Sequence, residues 1–325
     1  MQIILMAAAN YRRLPTPPRL LRQDASEVHG NQIRDAEACM RKMMRRALAT
    51  VVATVCLASA AMADNAEWSQ PTKPFRVVGN IYYVGTKGLA AYLITSGKQA
   101  ILLDGTLKST ASLVEDNIAA LGFKRSDIKI IVTSHAHYDH VAGVAQIKRD
   151  SGAKLYAIAA DRWALENGLH DGETTYKRGT FPAVKVDHVL DDGEVVTLGD
   201  VSMKATLTPG HTPGCTTWST SVSEAGRALK VVFPCSVTVA GNKLFGNKRY
   251  PGIVADFETS FDRLGGMTAD VVLPAHPDIA DIIGRAARRD AGEEDAFVDP
   301  ALLGQIVEKS RAAFKKELAR QKAKK

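Results

Sequence analysis

Thr133-Ser134-His135-Ala136-His137-Tyr138-Asp139-His140 is the stretch whose reading decides the fold. Three imidazoles and a carboxylate fall directly after the apolar segment Ile128 to Val132. A strand ending at Val132 delivers these side chains to a sheet edge, where a short turn aims all four at one point. Solvated residues have no reason to concentrate four donors there. Zinc does, because a catalytic site usually takes three deprotonated N, O or S donors from the protein and a water. Two more histidines stand in similar settings, in Pro209-Gly210-His211 and Pro274-Ala275-His276. Together the three clusters outline a two-metal hydrolytic site. His170 and His188, each alone in the sequence, read as satisfied structural residues.

The segments around the cluster are short and β-rich. Phe75 to Val78, Ile81 to Val84, Ala90 to Thr95 and Ala100 to Asp104 are punctuated by Gly79-Asn80, Gly85-Thr86-Lys87-Gly88 and Ser96-Gly97-Lys98, the pattern of a meander. A helix is expected from about Ser109 to Leu121, then the strand Ile128 to Val132. Helical patterns at Val141 to Asp150 and Ala160 to Asn167 bracket a strand at Lys154 to Ile158. Residues 168–182 are polar and read as a surface loop flanking the site. A second β-rich stretch begins near Val195 and includes Val201 to Leu207, Thr216 to Thr220 and Leu229 to Phe233. A helix at Asp256 to Met267, a strand at Val271 to Leu273 and a terminal helix at Leu302 to Lys322 complete the chain. Strand-rich then mixed, repeated, predicts two αβ halves with their sheets face to face and helices outside.

The ends need separate treatment. Residues 1–63 carry nine Lys and Arg against four Asp and Glu, and residues 309–325 carry eight against one. The body, 64–308, holds 25 against 30, so the overall charge of +7 belongs to the termini and gives no case for nucleic-acid binding. Met40 to Arg46 is a basic stretch, followed by an apolar run from Ala47 to Ala60 and the small-x-small triplet Ala61-Met62-Ala63 before Asp64. That is the layout of a secretory signal peptide, with an apolar run too short to span a bilayer. The expected organisation is an over-extended N-terminus at 1–39, a signal peptide at 40–63, and a single domain at 64–325 ending in a helix. The basic end reads as a solvated tail, not as a membrane or partner contact. Export implies the periplasm and an oxidising compartment, in which the remaining pair Cys215 and Cys235 can form a disulfide.

From roughly Phe75 to Ile279 these motifs resemble the metallo-β-lactamase superfamily. Pro209-Gly210-His211-Thr212-Pro213-Gly214-Cys215-Thr216-Thr217-Trp218 and Gly246-Asn247-Lys248-Arg249-Tyr250 look like subclass B3 of the class B β-lactamases, as does the extension Phe297 to Lys325. The resemblance implies an αββα sandwich of two mixed β-sheets, of α/β (α+β) class. It implies two Zn2+ per chain, one held by His135, His137 and His211 and the other by Asp139, His140 and His276. Asp104 matches a superfamily Asp that orients ligand imidazoles. Cys215 and Cys235 occupy positions where relatives carry a disulfide, and closing that loop stabilises by roughly 3 kcal/mol. Trp218 and Tyr250 are expected in the core or the cleft wall, and Tyr138 in packing.

The substrate is read from a different place. Related thioesterases, lactonases and phosphodiesterases usually carry a metal-bridging Asp after the strand that precedes the last third. The equivalent stretch here, Phe233-Pro234-Cys235-Ser236-Val237-Thr238, has no carboxylate. The implied function is therefore zinc-dependent hydrolysis of the lactam amide of β-lactam antibiotics by a metal-bound hydroxide, with no covalent intermediate. Asp139, His211 and His276 are the implied catalytic residues, and Ser236 and Thr238 the implied contacts to the substrate carboxylate. Thr238 departs from the Ser usual in the subclass, and a local backbone role for both hydroxyls stays open. The expected state is a monomer acting on a small molecule, without nucleic acid or stable membrane association. The alternative is an exported dinuclear-zinc hydrolase of another ester, lactone or thioester.

Overall fold

Apolar alternation along the strands, with one residue in two facing each way, needs a covering layer on both sides of each sheet. In the computed structural model, which describes residues 66–174 and 179–324, those layers are a second sheet and a set of helices. The expected signal peptide and the segment before it lie outside the described residues.

Strands β1 (Phe75–Val78), β2 (Ile81–Tyr83), β3 (Tyr92–Ser96) and β4 (Gln99–Leu103) form an antiparallel meander. Helix α1 (Ala111–Ala120) brings the chain back so that β5 (Ile128–Val132) lies parallel to β4, with Val132 beside Leu103. After α2 (Tyr138–Val141) and α3 (Val144–Ser151), β6 (Lys154–Ile158) continues the parallel edge, and α4 (Ala159–Asn167) leads to β7 (His188–Leu190). The second sheet holds β8 (Val195–Leu198), β9 (Val201–Leu207), β10 (Thr216–Glu224) and β11 (Arg227–Phe233), all antiparallel. Helix α5 (Ile253–Gly265) precedes β12 (Val271–Val272), which pairs parallel to β11, and α6 (Ile282–Asp290) and α7 (Leu302–Ala323) follow. Both sheets are mixed, as expected. The β10–β11 turn is made by Ala225 and Gly226, both at positive φ, the geometry a two-residue hairpin turn requires.

Alternation sorts three apolar layers. Ile101 and Leu103 face the second sheet and pack with Met203, Trp218, Val231 and Phe233. Leu102, between them, faces outward with Leu93 and Ile131 against Val114, Ile118 and Ile147 of the helices. On the other side Val232 and Val272 meet Phe257 and Phe261 of α5 and Phe314 of α7. Phe314 lies 5.0 Å from the Phe257 ring and 5.6 Å from Phe261, centre to centre. The terminal helix is therefore docked along one stripe, and its remaining face carries the basic residues. Trp218 is fully buried and its Nε1 donates to the Thr133 carbonyl at 3.0 Å. Burial of such a side chain stabilises by roughly 1.5–3 kcal/mol, and the hydrogen bond pins the segment where β5 enters the histidine cluster.

Several elements differ from the pattern reading. β7 and α6 were not anticipated, and the helix expected at Val141 to Asp150 is split into α2 and α3. β10 runs to Glu224, four residues past the expected Thr220, and α5 begins at Ile253, three residues before the expected Asp256. β7 is three residues long and mostly exposed, so it has no apolar run to signal it. Among the described residues no helix is long and apolar enough to cross a membrane.

Candidate metal centre

Strand β5 ends at Val132, and the next eight residues turn across the edge of the sandwich. His135 lies outside regular structure and His137 on extended backbone, while Asp139 and His140 lie in the single turn of α2. His211 comes from the β9–β10 connection and His276 from the segment after β12. The structure gathers them into two groups of three. Donor atoms of His135, His137 and His211 lie within 4.8 Å of one another, as do those of Asp139, His140 and His276. All but His276 are buried. Three imidazoles in one group, and two imidazoles with a carboxylate in the other, form the donor sets that suit zinc.

Neighbouring groups fix which ring nitrogen faces each cluster. Nδ1 of His211 donates to the Thr238 carbonyl at 2.7 Å, leaving the lone pair on Nε2. Asp104 accepts from the Ser134 amide and the Ser134 hydroxyl, both at 2.7 Å, and Ser134 Oγ lies 3.0 Å from Nδ1 of His135. With that hydroxyl turned to Asp104, its oxygen accepts from His135 Nδ1 and the lone pair again sits on Nε2. The second Asp104 oxygen also faces Nδ1 of His140 at 3.9 Å. One buried carboxylate thus orients the His135 imidazole through Ser134 and lies beside His140 of the other group, beyond hydrogen-bond distance. Its backbone has φ 64°, a conformation that Asp tolerates better than most residues. Burial pushes the Asp104 carboxyl up to about 6, against the opposing pull of His140 and Ser134.

Burial also works against charge on Asp139, but His140 and His276 beside it hold its carboxyl well below the usual range. Asp139 Oδ2 is 3.3 Å from His140 Nε2 and 3.5 Å from His276 Nε2. Burial, and the His140 imidazole next, push His276 down to about 4. Asp139 is therefore ionised and His276 neutral at pH 7, as metal binding needs. Burial works against charge on His140, but Asp139 beside it pushes that imidazole up, so a bound cation would displace a proton there.

Three contributors were not read from the sequence. Asp161, in the first turn of α4, is buried and accepts from the Ala136 amide at 2.8 Å, the Gly214 amide at 2.8 Å and the Thr212 hydroxyl at 3.2 Å. It clamps the loop carrying His135 and His137 to the loop carrying His211. Gly214 is needed for that approach, since a Cβ there would sit 2.4 Å from the Asp161 amide nitrogen. Asp161→Ala is expected to leave two buried N–H groups unpaired, at about 1–3 kcal/mol each. It is also expected to weaken metal binding roughly 10–100-fold. Thermal unfolding and chelator competition on the same variant check both effects. His170 is the second addition. The sequence reading gave it a purely structural role, but its Nδ1 lies 2.8 Å from Nε2 of His137, directing the other His137 nitrogen to the cluster. His188 does stand apart, paired with Glu194 at 2.6 Å. Third, the helical turn 66–69 places Trp68 5.6 Å from the His276 ring and 6.3 Å from Tyr138, so an aromatic side chain walls the second group.

Cys215 and Cys235 are bonded, with Cα atoms 5.7 Å apart. Their sulfurs also come within 4.8 Å of a ring nitrogen of His135, but the bond consumes both as metal donors. The bridge closes a separation of 20 residues and ties the His211 loop to the segment that follows β11. Replacing both with Ala is expected to cost about 3 kcal/mol of stability. Denatured chain from Asp64 onward, titrated without reductant, should show no free thiol; two free thiols would contradict the bridge. Ser236 and Thr238 lie just beyond it, with their hydroxyl oxygens 3.0 Å apart. Tyr250 is buried with its hydroxyl donating to Asp256 at 2.6 Å.

Residues 85–276 match the model of the metallo-beta-lactamase superfamily. BJP-1 of Bradyrhizobium japonicum, a subclass B3 metallo-beta-lactamase, is 41% identical and superposes with a TM-score of 0.76 over 79% of this chain and 97% of that one. The FEZ-1 metallo-beta-lactamase from Legionella gormanii is 37% identical, with a TM-score of 0.75 over 78% of this chain and 98% of that one. The chain spans about two fifths of the length of the first curated relatives that it matches. Hydroxyacylglutathione hydrolase GloC of Haemophilus influenzae is 24% identical over 52% of this chain and 73% of its own. With the sandwich, the paired donor groups and these matches together, the chain belongs to the metallo-beta-lactamase superfamily.

Proposed function

We propose that this protein is a dinuclear-zinc β-lactamase that opens the lactam amide without a covalent acyl-enzyme. The observation that carries the reading is the end of β11. It leads into the cleft beside His276 through Cys235, Ser236 and Thr238, and contributes hydroxyls with no carboxylate. A hydrolase that bridges its metals with an Asp has no residue for that purpose here.

His135, His137 and His211 would hold one zinc, and Asp139, His140 and His276 the other. When bound, zinc supplies Lewis acidity and lowers the pKa of water from 15.7 toward about 7. The chain's own residues organise the rest. Asp104 and His170 hold the histidine rings in place. Asp139 Oδ2 faces the His140 and His276 nitrogens as a metal donor, while its other oxygen can accept a hydrogen bond from the attacking water and orient it. The carboxylate stays ionised, and the proton lost by the water passes to the amide nitrogen as the C–N bond breaks. Ser236 Oγ and Thr238 Oγ1 donate to the substrate carboxylate. Trp68 and Tyr138 restrict water on the His276 side. No Ser, Thr or Cys nucleophile is required, and Cys215 and Cys235, whose sulfurs lie beside His135, are bonded to each other.

The similarity to GloC favours a second reading, a thioester or lactone hydrolase on the same scaffold. A chromogenic cephalosporin, a lactone and a glutathione thioester assayed side by side separate the two. Lactam turnover with the others at background supports the first reading, and the reverse supports the second. We further propose that the protein works in the periplasm as a monomer, without nucleic acid or stable membrane association.

A further inference from the structure

A single cavity of about 680 Å³ runs from His276, Ser236 and Thr238 to the terminal helix. That volume lies within the range of small-molecule sites, roughly 300–1,000 Å³. Its far wall is α7, which presents Ile306, Ala313 and Phe314, with Val237 and Val239 on the facing segment. The charged groups on this wall contribute little net field. Glu317 and Arg320 satisfy each other, with Arg320 Nε donating to Glu317 at 2.6 Å. Lys309 and Asp278 also line the cavity, one charge of each sign. What remains is an apolar recess, continuous with the reacting end of the cleft and walled by a helix that supplies no metal donor.

We propose that α7 makes a specificity subsite for the ring substituent adjacent to the substrate carboxylate, selecting neutral, aryl-sized groups. The proposal rests on the lactamase reading. With the carboxylate on Ser236 and Thr238, a substituent on the neighbouring ring carbon, C3 of a cephem, would be accommodated by the same cavity, whose lining includes Val237 and Ala313. A phenethyl group there exchanges water for Val239, Ile306 and Ala313, whereas a methyl group leaves the recess empty. A phenethyl group is not expelled when the lactam opens and is electronically close to methyl, so the gain lies in binding and falls mainly on KM. Burying a ring-sized apolar group corresponds to roughly tenfold or more in kcat/KM.

The test uses two cephalosporins with the same acyl side chain, one bearing a neutral, non-leaving phenethyl group at C3 and the other a methyl. The unaltered protein is expected to favour the arylated compound about tenfold in kcat/KM. Ala313→Trp, at an exposed position on the helix, fills the recess and should abolish that preference by raising KM for the arylated compound. Ala313→Leu should give an intermediate ratio. Zinc content and thermal unfolding of each variant report that the fold and the donor groups are intact. If both compounds are hydrolysed at a ratio that Ala313→Trp leaves unchanged, the subsite is wrong while the lactamase reading stands. If the unaltered protein hydrolyses neither, both fall.

Discussion

Asp139→Ala is expected to lower bound zinc from about two ions per chain to about one and to remove most turnover. The carboxylate is the sole anionic donor in its group, held ionised by His140 and His276 although it is buried. Without it, two neutral imidazoles face one another, with His140 Nε2 and His276 Nε2 3.2 Å apart. A neutral pair attracts a divalent cation far less than a pair backed by a carboxylate. The lost stabilisation of developing charge is several kcal/mol, or roughly 10²–10³-fold in kcat/KM. Asp139→Asn keeps the shape and one oxygen but not the charge, and should resemble Ala more than the unaltered protein. Elemental analysis after dialysis, alongside kinetics, checks this. An unchanged zinc stoichiometry in Asp139→Ala would contradict the assignment of the second group.

Asp104→Ala is expected to act on both groups without touching either metal. It removes the acceptor of the Ser134 amide and hydroxyl, and leaves that buried amide unpaired at about 1–3 kcal/mol. The Ser134 hydroxyl is then released to rotate, so His135 Nδ1 loses a fixed acceptor, and His140 loses the carboxylate near its own Nδ1. Residues in this position commonly change metal affinity 10–100-fold. Asp104→Asn retains tolerance for the positive φ and one acceptor for the amide, so most of the stability should return. Zinc affinity should recover only partly, because the charge facing His140 is gone. Chelator-competition titrations on both variants decide this; equal affinities in Asp104→Ala and the unaltered protein would make the residue purely structural.

Much of the site was legible because metal chemistry concentrates donors in sequence. His135, His137, Asp139 and His140 announced themselves by falling immediately after an apolar strand, and β5 does end at Val132. His211 was marked by Gly210 and Gly214, residues whose smallness the packing requires. The sandwich followed from the strand-rich then mixed order repeated along the chain and from the family resemblance. The Cys215–Cys235 pair followed from the expected export and from a position where relatives can carry a disulfide. Other contributors were hidden for a physical reason. Asp161 and His170 act through distances that only the folded chain creates, and nothing local separates Asp161 from any other acid near a helix start. Trp68 sits in a polar lead-in, and its position against His276 depends on that segment folding back, with the Lys87 and Gly88 amides donating to the Gln70 and Glu67 carbonyls. The terminal helix gave its amphipathic stripe to the sequence reading, but which layer it covers was set by Phe314 meeting Phe257 and Phe261.

The most direct test of the central claim follows lactam ring opening in a chromogenic cephalosporin, using protein prepared with zinc, stripped with chelator, and reloaded. A glutathione thioester and a lactone are run in parallel. The expected result is rapid cephalosporin turnover that disappears on stripping and returns with zinc, while the other two substrates stay near background. Zinc-dependent turnover of the thioester or the lactone, with the cephalosporin left intact, would contradict the account.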